Sequence, residues 1–177
     1  DFPFPDWDNY VKNYPLRNNF FSLNEKIAIP LLGTRGCPYS CFFYCTYPLQ
    51  QGRKVRARSV NNIIKEIKFW KKKLGTNKFV FRDPVFSINK KHTIEFCKQV
   101  IEQKLDITFM VETHLNNLDN EMIKLLKLAG LRLVYVGVES ASDFVLNDMK
   151  RFTVEHDKQY KVIKECEDEG IKVKTMF

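Results

Sequence analysis

The chain has 177 residues, of which 44% are hydrophobic and 28% charged, enough apolar material for a buried core and too much for a disordered or fibrous protein. Its net charge of +8 draws anions without naming one. No apolar run approaches the roughly 20 residues that cross a bilayer, so the expectation is a soluble, cytoplasmic protein with no membrane partner.

Residues 1 to 26 are rich in Asn, Pro and aromatic side chains without sustained periodicity, and read as an extended arm or linker. They open on Asp1-Phe2-Pro3-Phe4-Pro5, with no Met and no basic and apolar signal segments, so the chain reads as an unsecreted piece of something longer. Residues 27 to 177 read as the folded domain. Lys26 to Leu32 is a short apolar run consistent with a buried strand, ending at Gly33-Thr34-Arg35-Gly36. Ser59 is placed to cap a helix whose Val60, Ile63, Ile64, Ile67 and Leu74 follow helical spacing, with Gly75 as its stop.

Lys78 to Arg82 reads as the next strand. Ile94, Cys97, Val100 and Ile101 mark a second amphipathic helix, and Ile107 to Val111 a third strand. Asp119 then caps a helix with Met122, Leu125, Leu126 and Ala129 inward and Gly130 after it, and Leu131 to Val138 is a fourth strand. Helical segments around Ser142 to Met149 and Val154 to Glu169 precede a last strand, Ile171 to Phe177. Apolar, unalternating strands separated by helices predict a parallel α/β structure buried on both faces. The alternation alone allows an open doubly wound sheet, but no G-x-G-x-x-G follows the first strand.

In its place stands a cluster of cysteines. Of the five in the chain, Cys37, Cys41 and Cys45 share one loop, while Cys97 and Cys166 fall on inward helix faces and read as small core residues. An odd count in an unsecreted chain argues against a disulfide framework. The loop lies at the carboxyl end of the first strand, where parallel α/β folds gather their chemistry. Three thiolates with one open position suit an iron–sulfur cube; zinc lacking a nearby fourth ligand, or thiols holding nothing, are the other readings.

The basic residues Arg53, Lys54, Arg56 and Arg58 crowd the segment after this loop, and Lys71, Lys72 and Lys73 close a helix. They read as solvated surface in preference to an RNA-binding face. His92 and His156 read as surface residues at helix starts, and His114, just beyond the Glu112 strand end, as an ordinary residue in preference to one that lines the substrate pocket.

Several separated motifs together resemble the radical S-adenosylmethionine superfamily over residues 27 to 177. Gly33 to Cys45 and the segment Tyr47 to Ser59 look like the cluster loop and following stretch of its cobalamin-binding members and their methylthiotransferase relatives. Phe81-Arg82-Asp83-Pro84, Glu112-Thr113-His114 and Gly137-Val138-Glu139-Ser140 resemble the ends of the second, third and fourth strands. The arm Phe2 to Asp8 is similar to the segment joining a cobalamin domain to the radical domain. One departure stands out. The family spacing is C-x3-C-x2-C and here it is C-x3-C-x3-C, the added residue supplying up to about 3.5 Å of reach.

The resemblance implies a partial (βα) barrel, cut here after its fifth strand. It implies a [4Fe-4S] cluster on Cys37, Cys41 and Cys45 and S-adenosylmethionine chelated to the remaining iron, with cobalamin supplied by a domain outside this chain. Tyr44 takes the aromatic position against the adenine, Asp83 the methionine amino group, Glu139 the ribose or amino group, Arg151 the carboxylate, and Glu112 the same mouth. The implied activity is reductive cleavage of S-adenosylmethionine to a 5′-deoxyadenosyl radical, leading to methyl transfer to a small-molecule substrate, with an electron donor such as flavodoxin or ferredoxin. The rival readings are an RNA-modifying, methylthiotransferase-like enzyme and a degenerate metal-binding barrel without catalysis.

Overall fold

The computed structural model describes residues 3–13, 22–23, 26–39, 41, 45–151 and 155–177. Five parallel strands form one sheet: β1 (Ile29–Leu31), β2 (Lys78–Phe81), β3 (Thr108–Thr113), β4 (Leu131–Gly137) and β5 (Lys172–Met176), hydrogen-bonded in that order. Strand order therefore follows chain order. A doubly wound sheet reverses its order at a switch point, so this sheet winds in one direction, as a barrel wall does.

The helices are α1 (Trp7–Asn13), α2 (Tyr47–Gln51), α3 (Val60–Leu74), α4 (Lys90–Glu102), α5 (Asn120–Ala129), α6 (Asp143–Asp148) and α7 (His156–Asp168). Their ends follow side-chain chemistry. Ser59 Oγ accepts from the Asn62 N–H at 3.3 Å and Asp119 Oδ1 from the Met122 N–H at 2.8 Å, as the sequence predicts, and Gly75 closes α3 at φ 63°. Asn89, which carries no flanking signal strong enough to mark it in the sequence, caps α4 by accepting from the His92 N–H at 3.2 Å. Lys71, Lys72 and Lys73 lie in the last turn of α3, where cations complement the helix dipole.

Alternation sorts the sheet into two faces. On one, Ile29, Leu31, Phe79, Phe81, Phe109, Val111, Val134 and Val136 meet Ile63, Ile67 and Trp70 of α3, Phe96 and Cys97 of α4 and Met122 and Leu126 of α5 in the main core. Phe81, Phe86, Phe96 and Phe109 meet edge to face, with Phe81 and Phe86 centroids 4.8 Å apart. The other face holds only a small apolar floor of Ala28, Val80, Met110 and Leu133, with Tyr135 against it. The register Pro30, Val80, Met110, Leu133, Lys172 runs across that floor, and one step further along the strands the same face presents Arg82, Glu112, Tyr135 and Lys174. The expectation of burial on both faces is thereby corrected: helices cover one face, and the other is a polar hollow. β5 also departs from it, since Lys172, Lys174, Thr175 and Met176 are exposed.

The arm differs from the sequence expectation too. Part of it is helical, and Phe4 and Trp7 pack against the main core. Phe4 meets Phe69 at a centroid distance of 5.7 Å, and Asp8 pairs with Lys73 at 3.4 Å. Trp7, Tyr10 and Val11 recur at helical spacing, a short signal that Pro3 and Pro5 obscured. Among the described residues no helix is long and apolar enough to cross a membrane.

Candidate functional site

The chain leaves β1 through Gly33 into a two-residue strand, Thr34–Arg35, paired antiparallel with Arg56–Ala57. Gly36 sits at φ 91°, and a Cβ there would lie 2.2 Å from the Lys54 carbonyl oxygen, so only glycine lets the two segments close. The Cys37 N–H donates to the Gly52 carbonyl at 3.1 Å, the Gly36 N–H to Gln51 Oε1 at 3.2 Å, and Arg53 Nη1 to the Tyr39 carbonyl at 3.0 Å. The start of the cysteine loop is therefore pinned to the stretch just after it.

Arg56 and Arg58 serve the same scaffold: Arg56 Nη2 donates to the Gln51 carbonyl at 2.7 Å and Arg58 Nη1 to the Leu32 carbonyl at 3.0 Å. Arg58 also pairs with buried Glu66 at 2.7 Å. Three of the four basic residues after the loop thus hold backbone of this chain, which weakens the reading of that stretch as an RNA track.

Cys37 and Cys41 are buried and Cys45 is partly exposed. Burial, and then the nearness of Cys45 and Cys41, push the Cys37 thiol above its ordinary range. Among the described residues no three His, Cys, Asp or Glu side chains are gathered so that they could hold a metal ion. The donor set itself, three thiols and no nearby fourth ligand, fits an iron–sulfur cluster with one open iron. Tyr44, like Ser40, Phe42 and Phe43, lies outside the described residues.

Arg151 reaches this neighbourhood from beyond α6. Its Nη1 donates to Cys41 Sγ at 3.4 Å, its Nη2 to the Gly137 carbonyl at 2.8 Å, and Glu139 Oε1 lies 3.9 Å from Nη2. Glu139 holds a left-handed φ of 68°, unusual without glycine, and its N–H donates to the Met176 carbonyl at 2.8 Å. Gly137 makes the approach possible, because a Cβ there would meet Glu139 Oε1 at 2.4 Å and Arg151 Nη2 at 2.8 Å. Cys41, Glu139 and Arg151 are therefore brought together.

Glu112 joins a second group on the polar face. Its Oε1 accepts from Arg82 Nη1 at 2.7 Å and its Oε2 from the Tyr47 hydroxyl at 3.0 Å. Burial and then the Glu112 carboxylate raise the Tyr47 phenol to about 12, so it stays a donor at neutral pH. Tyr47 stands two positions after Cys45, and its hydrogen bond fastens the end of the cysteine loop to the sheet. Tyr39, inside the loop, packs at a tilt against buried His114 with centroids 4.9 Å apart. The His114 Nδ1 accepts from the Asn116 N–H at 3.2 Å. Tyr47 and Arg82 are the residues sequence reasoning missed; the period-two alternation through Val80 placed Arg82 in the hollow.

Asp83 departs from its expected role. It is 1% exposed. Its Oδ1 accepts from the Gly33 N–H and its Oδ2 from the Thr34 N–H and hydroxyl, each at 2.7 Å. Both oxygens are consumed by the turn after β1, and the carboxylate does not open to the mouth. Asp83 clamps the root of the cysteine loop.

Comparison with known proteins agrees with this geometry. The sequence profile described as "Radical SAM superfamily" matches residues 31–177. The chain is 33% identical over 116 residues to the uncharacterized methyltransferase PH0819 of Pyrococcus horikoshii, covering 66% of this chain and 25% of that protein. It is 27% identical over 175 residues to the anaerobic magnesium-protoporphyrin IX monomethyl ester cyclase of Rubrivivax gelatinosus, covering 97% of this chain and 29% of that one. It shares its fold with the radical S-adenosylmethionine methyltransferase TsrM from Kitasatospora setae, solved with cobalamin and a [4Fe-4S] cluster bound. There the TM-score is 0.77 at 18% identity, over 85% of this chain and 31% of that one. The chain thus spans only about a quarter to a third of the proteins it matches. The profile covers most of the chain and the sheet winds as the partial barrel requires, and on those two grounds the chain belongs to the radical SAM superfamily.

Proposed function

We propose that this chain is the S-adenosylmethionine-cleaving core of a radical methyltransferase. Cys37, Cys41 and Cys45 would hold a [4Fe-4S] cluster, and S-adenosylmethionine would occupy the open iron. The observation that carries the reading is the grouping of Arg151 and Glu139 at Cys41, at the carboxyl end of the sheet. It sets a cation and an anion, suited to the carboxylate and amino group of the methionine moiety, beside a cluster ligand. The chemistry such a cluster supplies is one-electron cleavage of S-adenosylmethionine to methionine and a 5′-deoxyadenosyl radical.

The protein's own part is positional. Glu112, Arg82 and Tyr47 order the polar hollow below the loop, and Asp83 fixes the loop's root. Methyl transfer is the preferred subclass because PH0819 and TsrM are both described as methyltransferases, with cobalamin reaching the site from a domain outside residues 1–177. A flavodoxin or ferredoxin would supply the electron. The test is anaerobic incubation of the reconstituted chain with dithionite and S-adenosylmethionine. Release of 5′-deoxyadenosine or transfer of a methyl group to added cobalamin, lost in Cys41→Ala, is the expected result. Neither product from a chain that carries the cluster would overturn the reading.

A further inference from the structure

A cavity of about 800 Å³ opens beside β1, with no cysteine in its lining, and is walled on its apolar side by Phe4 and Trp7 of the arm. Four guanidiniums line it: Arg35, Arg56, Arg58 and Arg82. Two have a carboxylate. Arg58 pairs with Glu66 at 2.7 Å and Arg82 with Glu112 at 2.7 Å. Arg35 and Arg56 have no ion pair among the described residues. The hydrogen bonds of Arg56 go to the Gln51 and Lys54 carbonyls, which satisfy its N–H groups without cancelling its charge.

These two uncompensated arginines are also direct cross-strand partners. Residues opposite each other in an antiparallel pair project from the same face, and like charges there are destabilising. Side chains elsewhere on the same ladder carry no such conflict. The repulsive pair stands on a tight, glycine-dependent turn, at the wall of a cavity with an aromatic lining, and an anion between the two guanidiniums would relieve it.

We propose that this cavity binds a dianionic oxyanion group, with phosphate as the best match in charge, carried on an apolar or aromatic body. The group sits between Arg35 and Arg56, where two positive charges have no carboxylate among the described residues and charge-assisted hydrogen bonds are strong. The body lies against Phe4 and Trp7. The inference does not depend on the radical chemistry proposed for the cysteine loop, since none of its residues is a proposed ligand of the cluster or of S-adenosylmethionine.

The test is calorimetric titration of the cluster-free 177-residue chain with n-hexyl phosphate and, separately, inorganic phosphate. Saturable binding of hexyl phosphate that weakens about tenfold or more in Arg35→Gln, the loss of one charge-assisted contact, is expected. Arg35→Glu supplies the missing carboxylate internally, so it should abolish binding and raise the unfolding midpoint by about 1–4 °C in the absence of ligand. Hexyl phosphate binding tighter than inorganic phosphate assigns the site to an amphipathic ligand; equal binding keeps the anion site and overturns the apolar half of the proposal. No binding of either probe, or binding unchanged in both variants, overturns it altogether.

Discussion

Asp83 reaches back fifty positions to take the Gly33 N–H on its Oδ1 at 2.7 Å. That bond ties the end of β2 to the first turn after β1, and the cysteine loop hangs from the same turn. A Cβ on Gly33 would come within 3.1 Å of Asp83 Oδ2, so the close fit is set from both sides. The carboxylate therefore controls the loop's origin without touching whatever the loop holds.

Replacing Asp83 with Asn keeps the shape but turns an amide NH₂ toward a backbone N–H. One buried donor loses its acceptor, and the fold should lose about 1–3 kcal/mol, read as a lower denaturant midpoint. Cluster content of the surviving folded protein should be little altered. Unchanged stability with weakened S-adenosylmethionine binding would restore Asp83 to the role its sequence position suggested.

The pH dependence has a definite sign. Burial raises the Asp83 carboxyl from 3.8 to about 6, so between those values the folded state binds the proton and the unfolded state does not. Asp83 therefore contributes stability that is complete below about pH 4 and lost as the pH rises through about 6, at most about 3 kcal/mol. The Asp83→Asn penalty should be larger at pH 4 than at pH 7. A penalty that is constant, or that grows with pH, contradicts this account.

Most of the frame was legible in the sequence because its signals are local. Ser59, Gly75, Asp119 and Gly130 punctuate helices at the positions expected, and the five predicted strands overlap the five strands of the sheet. Cys97 and Cys166 are buried at 0% and 2% exposure, as their helical spacing implied. Side-chain pairing across the sheet was not legible. Nothing in the order of residues says that Tyr47 will find Glu112, or that the Asp83 carboxylate will turn back toward Gly33 while its neighbour Arg82 turns into the hollow. Both depend on register, which a parallel sheet sets through contacts far apart in the chain.

Tyr47 and Glu112 should be energetically coupled. In a double-mutant cycle of Tyr47→Phe and Glu112→Gln on thermal stability, a coupling of about 1 kcal/mol is expected for a half-buried hydrogen bond to a carboxylate. The variants should also bind S-adenosylmethionine more weakly after reconstitution, because the loop end is no longer anchored. Strict additivity would show that the bond does not hold the loop.

Two glycines separate site from scaffold. Gly137→Ala drives a methyl into Glu139 and Arg151, whose ends are flexible, so S-adenosylmethionine affinity should fall about tenfold with a modest change in melting temperature. Gly130→Ala places its Cβ 2.0 Å from the Ile107 carbonyl oxygen at φ 109°, where only backbone movement relieves the clash. That variant should lose stability heavily. Equal effects of the two substitutions would contradict the proposal that Glu139 and Arg151 meet the cofactor.

The most direct measurement is the iron and acid-labile sulfide content of the anaerobically reconstituted chain beside Cys37→Ala, Cys41→Ala, Cys45→Ala and Cys97→Ala variants. About four iron and four sulfide per parent chain are expected, with collapse in each of the three loop variants and no change in Cys97→Ala. Stoichiometric zinc that resists exchange, or iron retained when a loop cysteine is removed, would contradict a cluster on Cys37, Cys41 and Cys45.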